Sequence, residues 1–377
     1  MQCVMKCLLW YLYSFFKFSF HLHNLRGAAC AFVTPPAYTF IAQRVPQDRV
    51  SLASSLYGTG VALGGAFASL SILLDNNLGW REALWVIAAY GFAAAIVAAL
   101  ILPNDPKETI DSDNSSSMTT ASLMKSANDD KITSDNSSSS SDILSDVQEA
   151  ISTPRIRWLF LGSFLRFSAG ISIGVWSASY FRMVFPDNQA DYAVAQALIT
   201  AVGGSVSGLL GGYIADSIGA KAEEEQKTTK EEVDIIGRKL WVPVVGSILA
   251  APTWYLAVEN NQSFEVAMAW LAAEYFVAEC WFGPTISVLQ KTVGPKIGGT
   301  SQGLFTLTGA FANVAPSLLG FLYGQASAGQ ESSSDLAGLL VAGICFSYVS
   351  SSFCFAMSAL SKPPPGNYLA GGNAKQQ

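Results

Sequence analysis

Apolar residues in this chain come in long blocks. They do not alternate as in a half-buried strand, nor do they keep to one stripe as on a surface helix. A helix that crosses a bilayer needs about 20 mainly apolar residues. Nine blocks meet that requirement, at roughly 26–43, 51–74, 83–103, 157–184, 192–217, 240–258, 265–289, 300–324 and 336–360. Pro35, Pro36, Pro252, Pro284 and Pro316 fall inside these blocks, where neighbouring membrane helices can satisfy the freed backbone groups. Two polar stretches interrupt the pattern. Residues 104–154 hold 14 Ser with Asn, Asp, Thr and Lys, too little apolar surface to offset the entropy of ordering, so disorder is expected there. The second stretch, AKAEEEQKTTKEEVD from Ala220 to Asp234, reads as a solvated loop. Residues 1–25 are apolar but short and interrupted by Lys17, and they lack the small-residue cleavage site of a signal peptide. They read as the end of a span or, preferably, as the start of a truncated chain.

Composition agrees with the blocks. Of 377 residues, half are hydrophobic and only 13% are charged, against about 25% in a soluble domain. Such a chain is an all-α, multi-pass membrane protein with the lipid bilayer as its first partner. The net charge of -6 says little, because many acids lie in the two polar stretches. Basic residues orient the spans. With 104–154 placed in the cytoplasm and the spans alternating, 16 of the 22 Lys and Arg fall inside, as the positive-inside rule requires. The C-terminal tail then also lies inside. The six Cys show no CxxC spacing, and His21 and His23 are the only histidines, so a His-based metal site is not expected. The chain contains no HExxH and no Walker loop with its Lys. That gives no metalloprotease signature, disfavours a primary pump, and leaves no cofactor to expect. Nothing points to nucleic acid.

The stretch GGYIADSIGAKAEEEQKTTKEEVDIIGRKLW, residues 211–241, reads as one short pattern split in two. Without residues 220–237 its ends join as GGYIADSIGRKLW. Two glycines allow close helix approach. Asp216 lies at a helix end where a negative charge opposes the dipole unless it is paired, with Arg238 and Lys239 as candidate partners. Longer loops close at little extra entropic cost, so the insert does not forbid the pair. The same residues also read as an ordinary acid at the membrane border with basic retention charges.

The rejoined pattern resembles the cytoplasmic loop motif of the major facilitator superfamily, carried here by Gly212, Asp216, Gly219, Arg238 and Lys239. Other stretches agree. RVPQDR (Arg44 to Arg49) is similar to the basic loop after the fourth helix. SLYGTGVALGGAFASL is similar to the glycine-rich fifth helix, and GWRE (Gly79 to Glu82) to the turn before the sixth. The resemblance implies that the nine spans are helices four to twelve. Residues 1–103 are then a partial N-terminal bundle, 104–154 a cytoplasmic linker, 155–362 a complete six-helix bundle and 363–377 a cytoplasmic tail. WSASYF and WFGPTISVLQ look most like the spinster-like branch of lipid and organic-anion carriers, although the Glu of its fourth helix has no match in GAACAFVTPPAY.

Charges inside the spans mark candidate sites, since an ionisable group at mid-bilayer costs roughly 2.5–3.5 kcal/mol on insertion scales. Arg166 and Glu279 each lie about ten residues from the same membrane face, at a depth of roughly 15 Å. They are expected to pair. Glu274 and Trp281 are seven residues apart and would share a helix face, suited to a substrate or proton site. Trp176 and Tyr180, one turn apart, form an aromatic wall or part of an interfacial belt. Gln302, Thr306, Gly309 and Asn313 make a polar stripe, and Gln196 stands alone in its span; such polar groups serve as helix glue or as ligand contacts. The resemblance implies a gradient-driven or facilitative carrier of a small organic solute, an organic anion or lysolipid-like molecule, with a proton or a sodium ion as the candidate coupled ion. The competing reading is a non-transporting scaffold or a partial gene product lacking the first three helices.

Overall fold

The computed structural model describes residues 34, 37–42, 44–46, 48–101, 138–229, 234–294, 297–326 and 332–361. Among these residues every regular element is helical. The helices are α1 (Val50–Leu78), α2 (Trp80–Ile101), α3 (Ser138–Ser152), α4 (Pro154–Val184), α5 (Gln189–Leu198), α6 (Ser205–Thr229) and the single-turn α7 (Ile235–Arg238). They continue with α8 (Trp241–Glu259), α9 (Phe264–Ala278), α10 (Phe282–Val293), α11 (Gly298–Ala312), α12 (Val314–Ala326) and α13 (Ser333–Leu360). A π-helical stretch, Ile199–Gly204, joins α5 to α6 without a break in the rod.

Seven helical segments of the described residues are long and apolar enough to cross a membrane. The block at 265–289 is helical too, but a 3-10 turn at Glu279–Trp281 divides it into α9 and α10, each too short to count alone. Residue 34 and residues 37–42 are helical, and the rest of the block at 26–43 lies outside the described residues. One finding departs from the composition-based expectation. The end of the Ser-rich stretch forms α3, because Ile143, Leu144, Val147, Ala150 and Ile151 recur at helical spacing once the serine run ends. The remainder of 104–137 lies outside the described residues, as do residues 363–377.

The chain divides into two compact units, one of Met1–Leu70 with Asp146–Gln377 and one of Ser71–Ser145. In the smaller unit α2 exposes Trp80, Trp85, Phe92 and Leu100, and the Arg81 guanidinium lies over the Trp80 ring at 4.9 Å. In the larger unit α4 packs along α13, and α8 packs on α13 and α9. Two apolar clusters result. One gathers Ile173, Tyr180, Phe181, Trp254, Leu271, Leu340 and Tyr348. The other gathers Tyr38, Ile156, Leu159, Leu240, Trp281, Leu289, Phe305 and Phe355. Many lipid-level side chains elsewhere remain open, among them Val175, Tyr213, Phe311 and Phe346, as expected where the solvent is hydrocarbon. The break at Glu279–Trp281 is held by two missing side chains. A Cβ on Gly211 would sit 2.3 Å from the Cys280 carbonyl oxygen, and one on Gly246 would sit 2.3 Å from its Sγ. The bare backbones of α6 and α8 therefore clamp the turn that carries Glu279.

Candidate functional site

The two apolar clusters meet around Arg166 of α4, which is 1% exposed. Its guanidinium donates to the Ala278 carbonyl at 2.9 Å and to Glu279 Oε1 at 3.1 Å. The Ala278 oxygen is available because the helix breaks at that point. The guanidinium also stacks 4.9 Å from the Tyr348 ring and 5.5 Å from the Trp281 ring, cation–π contacts worth more where water is excluded. The Tyr348 hydroxyl donates to Glu274, and Glu274 is 2% exposed. Glu279 is different, since 37% of its side chain is open. One cation thus faces two carboxylates, one sealed and one accessible. The expected sharing of a face by Glu274 and Trp281 does not arise through helical spacing, because the 3-10 turn lies between them. Instead Trp281 joins a ring cluster with Phe167, Phe282, Phe305 and Phe355.

The polar candidates divide. The Gln196 amide donates to the Tyr275 hydroxyl at 2.9 Å and to Thr200 Oγ1 at 3.2 Å, while its Oε1 is buried and has no donor among the described residues. Tyr275 and Glu279 border the same glycine: a Cβ on Gly204 would lie 3.8 Å from Glu279 Cγ and 4.0 Å from Tyr275 Cδ1. Trp176 and Tyr180 point to different helices. The Trp176 indole donates to the Pro316 carbonyl at 2.9 Å, whereas the Tyr180 hydroxyl donates to the Val258 carbonyl at 2.7 Å. Gln302 is fully buried and accepts from Gln290 at 3.1 Å. Asn313 is exposed and bonds the Gly309 and Ala310 carbonyls of its own helix end.

The split motif closes. Asp216 accepts the backbone N–H of Ser51 at 3.3 Å and of Leu52 at 2.9 Å, so its charge sits on the N-terminus of α1, where the helix dipole favours an anion. Lys239, 2% exposed, donates to Asp216 at 2.5 Å and to Ser51 Oγ at 3.3 Å. Of the two candidate partners, then, Lys239 pairs with Asp216. Arg238 turns outward to Glu225. The glycines make room: a Cβ on Gly212 would meet Ser55 Oγ at 2.6 Å and Leu52 Cα at 2.8 Å, and one on Gly219 would meet Lys239 Cε at 2.6 Å. Lys291, past the end of the apolar block, lies against this group; burial first, then the Lys239 ammonium, pulls it down from 10.5 to about 8, against Asp216.

The sequence model of the Major Facilitator Superfamily matches residues 2–316. The chain belongs to the Major Facilitator Superfamily. An MFS-type efflux pump of Mycolicibacterium smegmatis is 23% identical over 299 residues, covering 77% of this chain and 59% of the pump. A crystal structure of a bacterial homolog to the human lysosomal transporter Spinster, inward-facing and unoccupied, aligns at a TM-score of 0.40 and 15% identity. It covers 82% of this chain and 66% of that one. The chain thus spans about three fifths to two thirds of the length of these relatives.

Sequence reasoning missed four residues of this Major Facilitator Superfamily chain. Tyr348 and Tyr275 looked like unremarked aromatics in apolar blocks, and only their contacts with Glu274 and Gln196 set them apart. Asp234 fell in the stretch read as a solvated loop, and Arg155 was not singled out. They form an ion pair, with Arg155 buried and 30% of the Asp234 side chain open, that ties the start of α4 to the end of the insert, and Arg155 also donates to the Ser361 carbonyl. A signal was available for Asp234, since it stands three residues before Gly237 and accepts that N–H as a helix cap.

Proposed function

We propose that this multi-pass membrane protein acts as a carrier that moves a small organic solute by alternating access, gradient-driven or facilitative. The observation that carries the reading is the buried Arg166 with its two acids, set in the interior of an apolar bundle. Ionisable groups there are costly and serve as substrate or ion sites by default. Secondary carriers of this architecture place such sites near mid-depth, with two bundles rocking around them. Glu274 and Glu279 are the proposed ion or substrate carboxylates, with a proton or a sodium ion as the coupled ion. Gln196, Tyr275 and Trp281 line the path, with Trp176, Tyr180, Gln302 and Asn313 as further candidates along it. The proposed cargo is a small organic solute, an organic anion or lysolipid-like molecule, on the resemblance of WSASYF and WFGPTISVLQ.

Asp216, with Lys239 and the N-terminus of α1, acts as the conformational latch. It is proposed to sit on the cytoplasmic side, together with 104–154, 218–239 and the C-terminal tail. Cysteines introduced into those loops should resist an impermeant reagent applied to intact cells.

The transport test is uptake of a labelled panel of lysolipids, organic anions and organic cations by the purified chain in liposomes. Uptake of one class, lost in Glu274→Gln with insertion retained, supports the carrier. A folded chain that moves none of them supports the non-transporting scaffold.

A further inference from the structure

We infer that the site accepts a solute carrying a positively charged, hydrogen-donating group, a protonated amine. The inference rests on the carrier reading and names the cargo of that same site. It departs from the organic anion that the sequence resemblance implies.

Charge comes first. Arg166, Glu274 and Glu279 form one interacting group of a single guanidinium and two carboxylates. Arg166 balances Glu279, so any charge on Glu274 makes the group net negative, and charge interactions in a low-dielectric interior are far stronger than in water.

Access decides which sign a solute meets. Arg166 is 1% exposed, walled by the Tyr348 and Trp281 rings. Its Nε–H has no acceptor, yet it is sealed away from any incoming molecule. Glu274 is equally sealed at 2% and takes the Tyr348 hydroxyl. Glu279 alone of the three is open, with 37% of its side chain accessible. The group a solute can reach is therefore a carboxylate, and the guanidinium behind it positions that carboxylate.

The surroundings of Glu279 are polar on one side. Gln196, 7% exposed, spends its amide N–H bonds on Tyr275 and Thr200, and its Oε1 is as sealed as Arg166 Nε. Tyr275 lies between Gln196 and the Gly204 face that Glu279 also borders. That glycine ends the π-helical stretch Ile199–Gly204, a distortion frequent at functional sites. The group left for a solute is the Glu279 carboxylate. An ammonium supplies it with donors and an opposite charge; a carboxylate or sulfonate supplies no donor and is repelled by it.

The test uses two probes that share a fluorophore and differ in charge: dansylcadaverine, a primary ammonium, and dansylglycine, a carboxylate. Each is titrated into the full chain in phosphatidylcholine nanodiscs, with empty nanodiscs subtracted. The expected result is saturable binding of dansylcadaverine, weakened at least tenfold in Glu279→Gln and largely kept in Glu279→Asp. Monodisperse gel filtration shows whether each variant is folded. If Glu279→Gln does not fold, the comparison of the two probes on the unaltered chain carries the test, with dansylcadaverine expected to bind at least tenfold more tightly than dansylglycine. Saturable binding of dansylglycine instead overturns the inference and leaves the carrier reading intact. Dansylcadaverine binding that is indifferent to Glu279 also overturns it. If neither probe binds, the inference fails, and uptake of the liposome panel then reports separately whether the carrier reading fails with it.

Discussion

Among the buried cations of the described residues, Lys239 and Arg166 have different surroundings. Lys239 meets one carboxylate, and that carboxylate is fully used: it takes two backbone N–H groups of α1 and the ammonium itself. Arg166 meets two carboxylates, one sealed against Tyr348 and one 37% open. The first group is nearly self-sufficient. It joins α1 to the start of the split loop and asks for nothing further. The second keeps one carboxylate open to further donors. Electrostatic completeness suits a contact that must close and reopen between fixed partners. Incompleteness suits a site that waits for a ligand.

The strongest way to break this comparison is to remove a central cation. Arg166→Ala leaves Glu279 and Glu274 without their guanidinium, and losing one partner of a buried pair costs about 3–5 kcal/mol. The low end, about 3 kcal/mol, is expected because Glu279 is partly open to solvent. Thermal stability in detergent measures it. Arg166→Ala with Glu279→Ala should cost less than the two singles summed; strictly additive losses would show that the two residues do not act as a pair.

Next in size is the proposed latch. Cysteines at Gly65 and Thr200 read how α1 packs on the π-helical stretch, roughly 20 Å along α1 from Ser51, since a Cβ on Gly65 would lie 3.1 Å from Thr200 Cγ2. Gly212→Val drives a side chain into Ser55 and Leu52 and should reduce cross-linking severalfold. Asp216→Asn should reduce it less, and should cut uptake roughly tenfold while membrane insertion is retained, a change of about 1.4 kcal/mol. Full cross-linking in Gly212→Val would show that the close approach of α1 at Gly212 does not control how the rest of α1 packs.

Smaller still is the effect of pH. Lys291 is held at about 8, below the 10.5 of an unfolded lysine. Between those values the unfolded chain binds more protons, so stability rises with pH across that window. Raising pH from 7 to 9 also removes a like charge beside Lys239 and should increase the Gly65–Thr200 cross-link. Lys291→Met should flatten that rise. The smallest effect is expected at Arg238: its partner Glu225 lies on the surface, and Arg238→Ala should leave the cross-link unchanged. A drop as large as that of Asp216→Asn would mean that Arg238 exchanges with Lys239 during the cycle.

Apolar block length alone was enough to assign an all-α membrane bundle, because a span needs some 20 apolar residues whatever its neighbours are. The rejoined Gly-Asp-Gly-Arg-Lys pattern was likewise visible, since its chemistry is local to one connection. Equal depth, read from the helix rise, brought Arg166 and Glu279 together on paper before any contact was known. Tertiary structure decided the rest. Whether Lys239 or Arg238 serves Asp216 depends on the insert, which ends in a capped turn at Asp234 and aims one basic residue inward and the next outward. The break at Glu279–Trp281 depends on Gly211 and Gly246 lying on either side of Cys280, a coincidence of three distant segments. Tyr348 enters the charge group only because α13 lies along α4. Local spacing fixes which residues share a helix face; which of them is sealed and which stays open is set by what packs on top, and that is a property of the assembled bundle.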